Sequence, residues 1–155
     1  MKAFYRDLQL GILGGGQLGR MLIQASIDLN VLSTVMDPVA DAPCSRFAPS
    51  FQQGSLTDYD AVMAFGKEVD LLTIEIENVQ VDALEDLEKL GKLVFPQPHI
   101  LRMIQDKRLQ KQYFRDHRFP TADFILVENQ AEVRTHADRL PAVNKTGKAG
   151  YDGRG

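Results

Sequence analysis

The segment Gly14-Gly15-Gly16-Gln17-Leu18-Gly19-Arg20 is a G-x-G-x-x-G placed between a β-type run and a helical pattern. Glycines let a backbone approach a phosphate closely, and the free N–H groups and positive end of the following helix favour the anion. Asp37, 18 residues beyond Gly19, stands where a dinucleotide-binding fold places the acid that holds a ribose. A tight strand-to-helix turn with no ligand would use the same glycines. A second candidate is Glu75-Ile76-Glu77-Asn78. Strand alternation there sets Glu75 and Glu77 on one face at the carboxyl end of a strand, where carboxylates can accept hydrogen bonds from sugar hydroxyls. The alternative is an acidic strand end with Asn78 capping a helix. The third is Lys107 with Lys145, followed by Lys148-Ala149-Gly150-Tyr151-Asp152-Gly153-Arg154-Gly155. A lysine on a strand before a glycine-rich loop can neutralise a nucleotide triphosphate while backbone amides close over it. Tyr151-Asp152 amid glycines also suits an ordinary hairpin turn.

Other reactive side chains point nowhere. The single cysteine, Cys44, lies in a Pro-rich loop and reads as an incidental thiol that can form neither an internal disulfide nor a zinc cluster. His99, His117 and His136 lack ligand spacing and suit surface or helix-end positions, so no metal site is expected in this chain. Met21 and Leu22 read as core.

These candidates need an α/β scaffold. A strand over 8–13 enters the glycines, and Leu18, Met21, Leu22, Ala25 and Leu29 then recur at helical spacing over 17–29. Strands follow at 31–36, near Phe51, at 69–76 and at 93–95, with helices from about Asp58 and over 81–90. The β-α-β alternation predicts a Rossmann-like parallel sheet with helices on both faces. From residue 100 the pattern changes to a long basic helix over 101–117, a strand over 124–127, a helix over 131–139 and a strand over 141–145. Asn144 is odd on a strand expected to be buried. The reading places a boundary near residues 96–100, with one domain over 1–98 and the beginning of another over 99–155.

With 155 residues, 44% apolar and 25% charged, the chain can bury one sizeable core. No apolar run approaches the ~20 residues that span a bilayer, and no signal segment is evident, so a cytoplasmic protein without membrane contact is expected. The net charge of −3 argues against nucleic-acid binding. Its distribution is uneven: residues 1–100 hold 7 Lys and Arg against 14 Asp and Glu, whereas residues 101–155 hold 11 against 7. That asymmetry fits either a solvated surface or a second module that receives an anion. Six of the nine residues from Gly147 to Gly155 are Gly, Ala or Lys, so this stretch is expected to be the least ordered beyond the N-terminus, and the chain to be an incomplete, inactive fragment.

Four segments in this order, Gly11 to Leu22, Thr73 to Val79, Gln105 to Lys111 and Gly150 to Gly155, resemble the N-terminal part of the N5-carboxyaminoimidazole ribonucleotide synthetases of the ATP-grasp superfamily. The resemblance covers nearly the whole chain, and the last segment is its most specific part. It implies a pre-ATP-grasp domain followed by the start of an ATP-grasp domain. The implied activity is ATP-dependent carboxylation of 5-aminoimidazole ribonucleotide with bicarbonate in purine biosynthesis, through carboxyphosphate, by a homodimer. By position, Gly16, Gln17 and Leu18 would receive the phosphate end of the ribonucleotide and Glu75 its ribose hydroxyls, with Glu77 second. Lys107 and Lys145 would face ATP, with Gly150, Tyr151, Asp152, Gly153, Arg154 and Gly155 as its lid. Magnesium would be held by residues outside this chain, and no residue here would act as a covalent catalyst. Ala149 stands where a glycine is usual, and Asn144 where an aliphatic residue is usual.

Three rivals share parts of the pattern. A formate-dependent glycinamide ribonucleotide transformylase also has a glycine loop and a Glu-Ile-Glu strand end, but Gln17 and Tyr151-Asp152 favour the synthetase. A nicotinamide-dependent dehydrogenase accounts for Gly14 to Gly19 and Asp37 and leaves residues 105–155 without a role. A binding or dimer-forming module without catalysis is the fourth possibility.

Overall fold

The computed structural model describes residues 8–148. Five strands, β1 (Gln9–Leu13), β2 (Leu32–Asp37), β3 (Ser50–Gln53), β4 (Leu71–Ile74) and β5 (Leu93–Phe95), form one sheet in the order β3-β2-β1-β4-β5. Every pairing is parallel, as the alternation predicts. The chain first winds from β1 to one side and then crosses to the other with β4. The topological switch point therefore lies between β1 and β4, and ligands of open α/β sheets bind outside the carboxyl ends of the strands at such a point.

Strand alternation sends successive side chains to opposite faces, and each face has its own helices. On one face Leu13, Met36, Leu72 and Val94 pack with Val62 and Phe65 of α2 (Tyr59–Glu68), with Leu84 and Leu87 of α3 (Val81–Lys89), and with Leu101. On the other, Leu10, Ile12 and Val35 pack with Ile23 of α1 (Gln17–Asp28) and with Cys44. Helix α2 starts where Asp58 accepts the Ala61 N–H at 2.8 Å, and α3 where Gln80 accepts that of Asp82 at 3.3 Å. Asn78 therefore does not cap α3. At the other end of α2, the Lys92 ammonium donates to the carbonyls of Lys67 and Val69 at 2.9 and 2.6 Å.

The apolar spacing in α1 misidentifies its inner face. Leu18, Met21 and Leu29 are each 60% or more exposed, and the buried residues are Gly19, Ile23 and Ser26. Small residues let this helix lie close to the sheet, which hydrophobic periodicity cannot register. Met21 is thus not a core residue.

The chain divides into two compact units between Arg102 and Met103. The long helix expected over 101–117 is broken into α4 (Pro98–Ile104) and α5 (Lys107–Asp116). Asp106 causes the break: its carboxylate accepts the Arg108 N–H at 2.9 Å and caps α5, an alternative to helix that short acidic side chains offer. Helix α6 (Gln130–Thr135) is followed by a 3₁₀ turn over Ala137–Arg139, together covering the expected helix. The strands expected over 124–127 and 141–145 do not form, because no neighbouring strand among the described residues supplies ladder hydrogen bonds. Val143 is 82% exposed, and Asn144 is exposed rather than buried. His117 and His136 stand at the ends of α5 and α6. Among the described residues no helix is long and apolar enough to cross a membrane.

Candidate functional site

Three adjacent strands deliver three features to one edge of the sheet. β1 ends at Leu13 and runs into Gly14, β2 ends in Asp37, and β4 ends at Ile74 and runs into Glu75. Backbone bonds tie them together: Gly14 N–H donates to Met36 at 2.9 Å, and Glu75 N–H to Leu13 at 2.8 Å. Gly14 has φ +105°, a region that favours glycine. At Gly19 a Cβ would lie 2.8 Å from the Gly14 carbonyl oxygen and 3.2 Å from the Cys44 sulfur, so only glycine lets α1 start this close to the turn.

The N-terminus of α1 is open. Gly16 caps it without a side-chain hydrogen bond, and no acidic residue occupies its first turn. The N–H groups of that turn have no intrahelical acceptor, and they carry the positive end of the helix dipole. Gln17 and Leu18 are exposed, so the turn faces solvent.

Glu75 lies across this turn. Its carboxylate oxygens approach within 2.8 Å of where a Cβ on Gly14 would stand and within 2.6 Å of one on Gly16. It is half-buried, and its side chain has no hydrogen-bond partner among the described residues. Its oxygens reach solvent rather than being sealed in, so donors from a ligand can take the place of water on them. The alternation expected for Glu75 and Glu77 does not apply, because β4 stops at Ile74 and residues 75–77 bend away. The three atoms nearest a Cβ on Gly16 all belong to Glu75, so Glu77 does not share its place over the glycines.

Asp37 does other work than the ribose-binding expected of it. Its Oδ2 accepts the Gly15 N–H at 2.7 Å and its Oδ1 the Val39 N–H at 2.8 Å, so both oxygens are engaged within the chain. Cys44 is likewise no incidental thiol. It is fully buried, its N–H donates to the Gly15 carbonyl at 2.9 Å, and its thiol donates weakly to the Gly16 carbonyl at 3.6 Å. Burial, and then the negative charges of Glu75 and Asp37, push this thiol up to about 11. Two carboxylates thus lie near the underside of the turn, their effect opposed in part by Arg20. Hydroxyl donors suit the space beside Glu75 better than a second anion does, while an anion suits the amide end of α1.

Two of the groups expected to face ATP, Lys107 and Lys145, lie among the described residues of the second unit. Lys107 is half-buried at the start of α5, its N–H donating to the Gly147 carbonyl at 2.8 Å. Lys145 is exposed and not on a strand. The lid residues Gly150, Tyr151, Asp152, Gly153, Arg154 and Gly155 lie outside the described residues, as does most of the stretch expected to be least ordered. Among the described residues no three His, Cys, Asp or Glu side chains converge to hold a metal.

The parallel sheet, with a glycine turn and a carboxylate at its switch point, defines a doubly wound α/β domain of the nucleotide-binding type. The chain belongs to the ribonucleotide synthetase preATP-grasp domain family, whose pattern matches residues 8–105. It is similar to an N5-carboxyaminoimidazole ribonucleotide synthase of Pseudomonas aeruginosa, with 36% identity over 96% of this chain and 41% of that protein. It is also similar to a phosphoribosylaminoimidazole carboxylase of Candida albicans, with 38% identity over 94% of this chain and 27% of that one. Among solved structures, an N5-carboxyaminoimidazole synthase of Aspergillus clavatus in complex with ADP and 5-aminoimidazole ribonucleotide matches 88% of this chain and 37% of its own. Its TM-score is 0.77 and its identity 33%. The chain spans between 15% and 41% of the length of such curated relatives.

Proposed function

We propose that this chain supplies the ribonucleotide side of an enzyme that carboxylates 5-aminoimidazole ribonucleotide with bicarbonate at the expense of ATP, in purine biosynthesis. The observation that carries the proposal is the half-buried Glu75 carboxylate, without a donor of its own, laid over the glycine turn at the open start of α1. In this reading the amides of Gly16, Gln17 and Leu18 receive the 5′-phosphate, and Glu75 accepts hydrogen bonds from the ribose hydroxyls. Glu77 has a lesser part beyond the bend. The first unit acts as a pre-ATP-grasp domain and the second as the beginning of an ATP-grasp domain. Lys107, Lys145 and the segment 150–155 belong to the nucleotide side. The Aspergillus relative, whose complex contains both ADP and 5-aminoimidazole ribonucleotide, supports this division.

Transfer of the γ-phosphoryl group to bicarbonate gives carboxyphosphate, and the exocyclic amine of the ribonucleotide then attacks its carbon and releases phosphate. Such chemistry needs positioning and charge stabilisation rather than a covalent side chain. This chain's part is to fix the ribonucleotide so that the amine projects from the site. Magnesium would accompany ATP, but the described residues offer it no site, and no step here runs through it. A cytoplasmic homodimer is the expected setting.

Calorimetry of the chain with 5-aminoimidazole ribonucleotide and separately with ATP tests the assignment. Ribonucleotide binding stronger than ATP binding is expected, whereas tight ATP binding with none of the ribonucleotide would overturn the roles. Product formation from ATP, bicarbonate and the ribonucleotide by the whole protein tests the activity.

A further inference from the structure

The chain from Asp37 to Phe47 grips the glycine turn at several points. Asp37 takes the Gly15 N–H, and Cys44 N–H donates to the Gly15 carbonyl, so both backbone polar groups of Gly15 are used internally. The Gly16 carbonyl accepts the Arg20 N–H at 3.1 Å and, weakly, the Cys44 thiol. The Arg20 guanidinium lies 4.6 Å from the centre of the Phe47 ring. In a dinucleotide site the glycine-turn amides are left for the pyrophosphate and the acid after the second strand is left for a ribose. Here that acid is turned onto the amide.

We infer that Asp37 is a positioning residue that locks the glycine turn: its carboxylate occupies the Gly15 amide as a built-in anion, leaving only the first turn of α1 to a single phosphate and excluding a dinucleotide. Asp37 touches neither phosphate nor ribose in this arrangement and acts through Gly15. The inference rests on the reading of that turn as a phosphoribosyl site, but the first arm of its test does not.

Cys44 is the only thiol of the chain. It is fully buried against the turn, so its alkylation by iodoacetamide reports opening of the lock. Asp37→Ala removes both acceptor oxygens, whereas an asparagine could keep its oxygen on the Gly15 N–H and turn its amino group to Val39. The variant should be alkylated about tenfold faster than the unmodified chain, the order expected for one lost hydrogen bond, at a rate that hardly rises in dilute urea, as local opening requires. Unchanged alkylation overturns the inference, and so does alkylation whose rate climbs with urea as global unfolding does. With ribose 5-phosphate as probe, affinity should fall about tenfold in the variant, and equal affinities would overturn the positioning role. An unmodified chain that ignores the probe would remove the proposed function and leave the alkylation arm to decide on the lock. If the variant does not fold, hydrogen exchange of the unmodified chain decides. The Gly15 amide must exchange more slowly than those of Gln17 and Leu18, and equal rates would overturn the inference.

Discussion

Helices α1 and α5 both begin beside glycine, yet their N-termini are finished in opposite ways. At α5 the Asp106 carboxylate, only 4% exposed, accepts the Arg108 N–H and also holds the Arg108 guanidinium at 2.7 and 3.0 Å. The Gly147 carbonyl takes the Lys107 N–H. That end is closed by the chain itself. At α1 no side chain performs this service, and the nearest carboxylates are drawn elsewhere, Asp37 onto Gly15 and Glu75 across Gly14 and Gly16. A helix end that the protein has filled is a stability element, whereas one held rigid and left open can receive a ligand. Lysine content does not tell the two apart, since each unit holds four lysines.

Four experiments strain this contrast, the largest effect first. Gly19→Val would drive a side chain into the Gly14 carbonyl oxygen, a backbone atom that cannot swing aside. It should cost about 3 kcal/mol or more in urea unfolding, the upper range for overpacking, and remove ribonucleotide binding. Glu75→Gln should weaken ribonucleotide binding by about 1–3 kcal/mol, the range for hydrogen bonds to charged groups, and leave ATP binding in the whole protein intact. A loss of ATP affinity instead would place Glu75 on the nucleotide side.

The two units also differ in the pH at which they weaken. Hydrogen bonds from Arg108 hold Asp106 down from 3.8 to about 2 against the opposing effect of burial. Its contribution is present above the unfolded value of 3.8 and is lost as pH falls toward 2. Cys44 is held neutral, so its contribution is present below 9.0 and is lost as pH rises toward about 11. Amide exchange should thus open α5 in acid and the glycine turn in alkali; opening in the reverse order would refute the assignment. The smallest effect is expected from Asp106→Ala, which makes the start of α5 resemble that of α1. Cap removal should cost about 1 kcal/mol, read as faster exchange at Arg108 and Leu109 with the exchange of Ile12 and Val35 unaltered.

What could be read in advance follows the range of the forces involved. The five strands and α1 to α3 announce themselves through short-range periodicity and punctuation such as Asp58 and Gly91. The G-x-G-x-x-G and Glu75 are visible for the same reason. Which acid would turn onto the glycines is not visible, because Asp37 and Gly15 are 22 positions apart and their meeting depends on strand register. Cys44 escapes notice likewise, since its role comes from a loop folding back 28 positions onto Gly16. Segments 124–127 and 141–145 carry strand-like patterns, but a strand exists only beside a partner. The Asp106 break was open to reading, for an aspartate before a basic helical run is an N-cap signal, and the apolar positions flanking it concealed it.

The central place of β1 has a consequence for how the chain is made. It leaves the ribosome before both of its neighbours, and each of its edges needs a strand made later: β2 at residues 32–37 on one side and β4 at 71–74 on the other. Since every pairing is parallel, none can be closed by a hairpin, and each waits for an intervening crossover to be synthesised. For the time it takes to add some sixty residues between Leu13 and Leu71, at about 5–20 residues per second, Leu10 and Ile12 remain on a strand with at least one bare edge. Nascent chains in which β1 has emerged and β4 has not should therefore be the ones that recruit holdase chaperones, and release should coincide with emergence of β4 rather than of the glycine turn.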